Sequence, residues 1–258
     1  MTQSYDFNIE KIKDLSSEEK ILRQKNLDLF YESGFPTKKE EDWKFTDLNS
    51  ILNKNFEVIS NEVNFESNIE FEIIKEFKHN YILLNNGKII SQNFAHEEKN
   101  KILVKDIDQN VTTNLDLGNT LTLLNNALSS AGFSLEVIKN YKLKKPLVIY
   151  NYFSKDLKNK ILNNRNSIKL NEGSELILID YTDSSTQNNF IKNTIDTVTL
   201  NKNASLKSIL IQNLKSNGHF YKYIKGSLES GSNYENYILS SGLKLNKIEI
   251  EINLNKDN

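Results

Sequence analysis

The chain has 258 residues, 38% of them hydrophobic, which is enough for one large or two modest cores. Its 33 Lys and Arg against 34 Asp and Glu leave a formal charge of −1, so no long-range field gathers nucleic acid or anionic lipid. The absence of cysteine excludes disulfides, a zinc–thiolate site, a cysteine nucleophile and iron held through sulfur, and with only Arg23 and Arg165 as arginines a bidentate phosphate or carboxylate clamp is not expected.

Residues 1–20 hold no apolar stretch of the signal-peptide kind, and no later run approaches the roughly 18 apolar residues of a membrane span, so a cytoplasmic protein without membrane partners is expected. Ser16 and Glu19 form a capping box ahead of Lys20-Ile21-Leu22, which predicts a helix over roughly 17–33; Gly34 and Pro36 stop it. A second, short helix is expected over 43–54, with Trp43, Phe45, Leu48, Ile51 and Leu52 near one buried face. Tyr81-Ile82-Leu83-Leu84 followed by Asn85-Asn86-Gly87 predicts a hairpin within 71–90. Leu117, Leu121, Leu124 and Leu128 recur at helical spacing and predict a third helix over 114–130, ended by Gly132.

After Pro146 the texture changes to short alternating runs such as 175–181 and 247–252, which read as half-buried strands. Three stretches are self-similar: Ile168–Leu176, Val198–Leu206 and Gly226–Tyr234. Aligning Leu170, Leu200 and Leu228 gives intervals of about 30 residues. In each copy Gly173, Asn203 or Gly231 stands three residues on, the types that accept left-handed backbone, followed by Ser174, Ala204 or Ser232. Two strands and a turn per period suit one coil of a β-solenoid, with an antiparallel sandwich as the alternative. A fourth copy begins at Ile252 and the chain ends inside its turn, so the sequence reads as cut short, with an open solenoid end near Lys247–Asn258 as a face for self-association.

Three segments together resemble the SufD branch of the SufB/SufD family of the SUF iron–sulfur cluster assembly system. They are Phe35–Leu48 (FPTKKEEDWKFTDL), Ile82–Ile89 (ILLNNGKI), and Leu124-Asn125-Asn126-Ala127-Leu128 with Gly132–Val137 and Lys145–Ile149. The resemblance implies a mainly β fold, a right-handed parallel β-helix behind an N-terminal helical and α+β region, divided as 1–145 and 146–258. It implies a scaffold subunit that is not an enzyme and works with SufB-like and SufC-like subunits. No cofactor of its own is implied, an iron–sulfur cluster being present only transiently in the assembled complex. It also assigns the SufC-docking helices, the SufB-pairing strands and a C-terminal helical domain to sequence beyond residue 258.

Residue by residue, no catalytic, cofactor or metal site is expected. His79, His96 and His219 have no histidine three or four residues away, as a helical metal site needs, and read as surface or loop residues. Trp43 reads as a core anchor between solvated charges. Lys247, Glu249 and Glu251 share one face of a strand, as the acid pairs of glycosidase-like solenoids do, and equally as any solvated strand does. Asn86-Gly87-Lys88 is a turn and not a phosphate loop, and no serine stands in a GxSxG context. The rival reading, a carbohydrate-active or carbohydrate-binding β-solenoid, is disfavoured by the lack of a signal segment and the scarcity of arginine, and a structural adhesin by the first of these.

Overall fold

The computed structural model describes residues 4–65, 69, 71–110, 119–182, 188–213 and 217–255. The elements run β1 (Ser4–Asp6), α1 (Ser17–Ser33), α2 (Leu48–Asn55), β2 (Val58–Ser60), β3 (Asn80–Asn85), β4 (Lys88–Asn93), β5 (Ile102–Asp106) and α3 (Thr120–Leu128). They continue as β6 (Phe133–Val137), β7 (Leu147–Tyr152), β8 (Lys160–Leu170), β9 (Glu175–Thr182), β10 (Phe190–Leu200), β11 (Ser205–Asn213), β12 (Gly218–Leu228), β13 (Asn233–Ser241) and β14 (Leu245–Leu254).

Even-numbered strands from β8 to β14 stack in parallel in one sheet, and β7, β9, β11 and β13 in a second, giving a β-solenoid of about 4 turns. The register joins Leu170 to Leu200, Leu200 to Leu228 and Leu228 to Leu254, the alignment the repeats predict, and parallel pairing rules out the sandwich. Each coil turns at a left-handed residue: Gly173 (φ 66°), Asn203 (φ 57°) and Gly231 (φ 70°). Asn140 (φ 59°) extends this column one coil earlier, where β6 and β7 already pair in parallel with β8 and β9.

Period-2 alternation divides an inner strand such as β10 between two cores. On β10, Val198 and Leu200 face the second sheet with Ile168, Leu170, Leu176, Leu178 and Leu206. Ile191 and Ile195 face the opposite way, against Leu27 and Phe30 of α1 and Leu121, Leu124 and Leu128 of α3. With both faces covered, β10 is buried along most of its length, as parallel strands usually are. On β14 the register sets Ile250 and Ile252 on the bore side opposite Ile224 and Gly226. Ile250 is nonetheless 45% exposed, because among the described residues no strand of the second sheet lies across from it.

Helix α1 matches its expected bounds, with Ser16 Oγ accepting from Glu19 N (3.2 Å) and Gly34 (φ 71°) at its end. The hairpin also forms, β3 pairing antiparallel with β4 through Asn86 (φ 50°) and Gly87 (φ 91°). The second helix differs from expectation. Trp43 closes a separate 3-10 turn (Glu41–Trp43), and α2 begins only at Leu48, where Asp47 accepts from Ser50 N (2.8 Å). Trp43, Leu48 and Leu52 are buried, but Phe45 lies between the two turns and is 88% exposed. The third helix begins at Thr120, capped by Asn119 (2.9 Å to Thr122 N), and closes at Ser129, three residues before Gly132. The expected residues 114–118 lie outside the described residues.

Candidate functional site

Between the two apolar cores of the solenoid bore lies a polar band that alternation makes and no motif announces. On β10, Phe190, Lys192, Thr194, Asp196, Val198 and Leu200 share the bore face, so two charged side chains are carried inside between an aromatic and an aliphatic end. Lys222 of β12 supplies a third charge and Asp180 of β9 a fourth. Lys222 Nζ lies 2.7 Å from Asp180 Oδ2 and 2.8 Å from Asp196 Oδ2. The other carboxylate oxygens accept from Asn151 Nδ2 (2.6 Å) and Asn166 Nδ2 (2.7 Å).

Burial alone pulls the Lys222 ammonium down, but Asp180 and Asp196 more than reverse this and hold it above its ordinary value. Burial likewise pushes Asp180 up, and Lys222 and then Lys192 bring it below the usual carboxylate range. Lys192 is different. It stands over the rings of Phe153 (5.2 Å) and Phe220 (5.5 Å), and burial lowers its pKa to about 8 despite Asp180. An amine near neutrality is a competent base or nucleophile in principle. Here the cavity it faces has about 30 Å³, room for a water and for no substrate. The band is therefore a buried strut, with each carboxylate held by one lysine and one asparagine.

The residues weighed in the sequence are not brought together. His79 accepts or donates through Nε2 with the Tyr150 hydroxyl (2.8 Å) and pairs Nδ1 with the Phe77 carbonyl (2.9 Å), while His96 is exposed. His219 is not a surface or loop residue. It lies on β12, 1% exposed, with its ring edge-on to Phe56 at 5.4 Å, and burial lowers its pKa. Among the described residues no group of three His, Cys, Asp or Glu is placed to hold a metal ion. Trp43 is the core anchor expected, 6.0 Å from Tyr221. Glu249 accepts from Tyr221 Oη (2.7 Å) and pairs with Lys247 Nζ (2.8 Å), and Glu251 accepts from Tyr223 Oη, so both carboxylates are held by neighbours. Lys247 turns to Trp43, at 4.8 Å from its ring centroid.

The asparagines of Leu124–Leu128 have a mechanical explanation. Asn125 Nδ2 donates to the carbonyls of Asn164 (3.1 Å) and Asn193 (2.9 Å), and its Oδ1 accepts from Arg165 Nε (3.0 Å). Asn126 Oδ1 accepts from Arg165 Nη2, and Asn193 Nδ2 returns a bond to the Leu121 carbonyl (2.8 Å). Helix α3 is thereby stapled across β8 and β10 by buried amides, which need partners that apolar packing cannot supply.

Two family models match the chain and between them span nearly all of it. Residues 2–149 match the SufBD protein N-terminal region, and residues 152–258 match the SufBD core domain of SUF system FeS cluster assembly. A search of the curated proteins finds no match. Among the described residues no helix is long and apolar enough to cross a membrane.

Proposed function

This chain belongs to the SufB/SufD family, and from that premise we propose that it is a SufD-like, non-catalytic scaffold subunit of SUF iron–sulfur cluster assembly. Membership indicates a role in that assembly system and supports, as part of this proposal, work in a complex with other subunits. Its partners in this proposal are a SufB-like subunit and a SufC-like ATPase, in the cytoplasm. The observation that carries the scaffold role is the family match over both halves of a chain that has no cysteine. Without a thiolate these residues offer sulfur-ligated iron no donor, so the cluster is cargo handled with the partners, and this chain contributes surfaces and no cofactor of its own.

Rigidity suits that task. Parallel ladders, amide staples and a closed ion network hold the outer faces of the coils in place. Co-expression with affinity-tagged SufB-like and SufC-like subunits from the same source, followed by size exclusion, tests the assignment. The chain is expected to elute with the SufB-like subunit; elution of the chain alone, with the other two together, would overturn it.

A further inference from the structure

Both arginines of the chain, Arg23 on α1 and Arg165 on β8, line a cleft of about 230 Å³ beside α3, on the outer face of the first sheet. Both are buried, at 1% and 8% exposed. They are satisfied unequally. Arg23 engages all five of its N–H donors: Nε to Glu19 (2.8 Å), Nη1 to the carbonyls of Ala127 (3.3 Å) and Ser129 (2.7 Å), and Nη2 to the backbone and side chain of Gln109 (2.9 and 3.3 Å). Arg165 has no carboxylate. Its Nε and Nη2 donate to the amide oxygens of Asn125 and Asn126, and among the described residues its Nη1 makes no hydrogen bond.

The cleft that Arg165 lines is cationic and rich in donors. The register sets Lys105 opposite Ser134 and Ser134 opposite Ser167, so an ammonium and two hydroxyls form one row across β5, β6 and β8, two residues from Arg165. All three line the cleft. Among the described residues one carboxylate does too, Asp108, whose Oδ1 accepts from Asn110 N (2.9 Å), while Glu19 is turned to Arg23. Burial, then the charge of Arg23, lowers Arg165 to about 10, which leaves it protonated at neutral pH. Glu19 offsets this only in part, and a buried guanidinium without a carboxylate in contact is costly unless something negative meets it.

We propose that this cleft binds a small tetrahedral oxyanion, of the size of phosphate or sulfate, held by Arg165 Nη1 with the hydroxyls of Ser134 and Ser167 and the ammonium of Lys105. An N–H of a charged guanidinium makes a shorter and stronger hydrogen bond to an oxyanion than a neutral donor does. The scarcity of arginine carries no hint of this, because one unbonded guanidinium nitrogen matters only where the fold buries its residue.

Calorimetric titration of inorganic phosphate, and separately of sulfate, into the full chain at pH 7 and low chloride tests the site. One saturable site is expected, weakening as salt is added. Ser167→Glu places a carboxylate in the cleft and Lys105→Glu reverses an exposed charge, neither touching a bond of Arg165; each should weaken binding at least tenfold while the circular dichroism spectrum is unchanged. Arg165→Lys should abolish it, and if that variant fails to fold, the other two still decide. No saturable heat with either anion, or equal binding by the parent, Ser167→Glu and Lys105→Glu chains, would overturn the proposal.

Discussion

The ammonium of Lys247 stands 4.8 Å from the centroid of the Trp43 ring and donates to the Asp42 carbonyl at 2.9 Å, joining β14 to a turn 205 residues earlier. The FPTKKEEDWKFTDL segment is thus the seat on which a late strand of the solenoid rests. Lys247→Met should lose about 1–2 kcal/mol in urea denaturation, from the cation–π contact, the charged hydrogen bond and the ion pair with Glu249 (2.8 Å) together. In a double-mutant cycle with Trp43→Leu the two should couple by about 0.5–1 kcal/mol. Strict additivity would show that the contact contributes nothing to stability.

The buried amine of Lys192 predicts a pH dependence. It titrates near 8 in the folded chain against 10.5 when unperturbed, so between these values the unfolded chain holds more protons and stability rises with pH. Below pH 8 the penalty is fully present. Lys192→Met should therefore stabilise the chain at pH 7, by up to about 3 kcal/mol, and the gain should shrink as pH rises towards 10.5. A destabilised variant at pH 7 would show that the ammonium is a net-favourable partner of Asp180 and Asp196.

Glycine positions separate backbone strain from collision. Gly34 has φ 71° with open space around it, so Gly34→Ala should cost about 1 kcal/mol. At Gly173 (φ 66°) an added Cβ would meet the Asn140 amide at 2.5 Å, a flexible group that can yield, and the loss should be slightly larger. At Gly132 the Cβ would collide with the backbone carbonyl of Arg165, so Gly132→Ala should cost several kcal/mol or prevent folding. Equal losses at 34 and 132 in thermal denaturation would contradict the close approach of Gly132 to β8.

Hydrogen exchange should rank the strands. Strand β9 lies between β7 and β11, whereas β14 pairs only with β12 among the described residues, and its Ile250, Ile252 and Leu254 are exposed. Amides of 247–252 should exchange faster than those of 175–181 in dilute solution, and light scattering should show association at higher concentration. Equal protection at low concentration would show that the edge of β14 is already covered.

Much of this architecture is written locally. Ser16, Gly34 and the Asn86-Gly87 turn act within a few residues, and the column of Gly173, Asn203 and Gly231 repeats at a period that composition does not blur. Phe45 departs from the expected helical face because helical spacing does not run through Thr46-Asp47, where the side chain of Asp47 caps a new helix. His219 departs from the expectation because its burial depends on Phe56, a contact between distant segments. The ion band is not legible in the sequence for another reason. Lys192 and Asp196 read as polar positions of an alternating strand, and only the second sheet, bringing Asp180 opposite Lys222, makes them interior. The signal was present in phase: Phe190, Lys192, Thr194 and Asp196 share parity with Val198 and Leu200, the residues that set the repeat.

Anaerobic reconstitution with iron and sulfide, followed by metal analysis, tests most directly whether this chain serves cluster assembly through surfaces and not through ligands of its own. The isolated chain should hold iron well below one atom per chain with no cluster absorption, while the co-purified complex with the SufB-like subunit should acquire a cluster. A stable, near-stoichiometric iron–sulfur signal on the isolated chain would contradict the account.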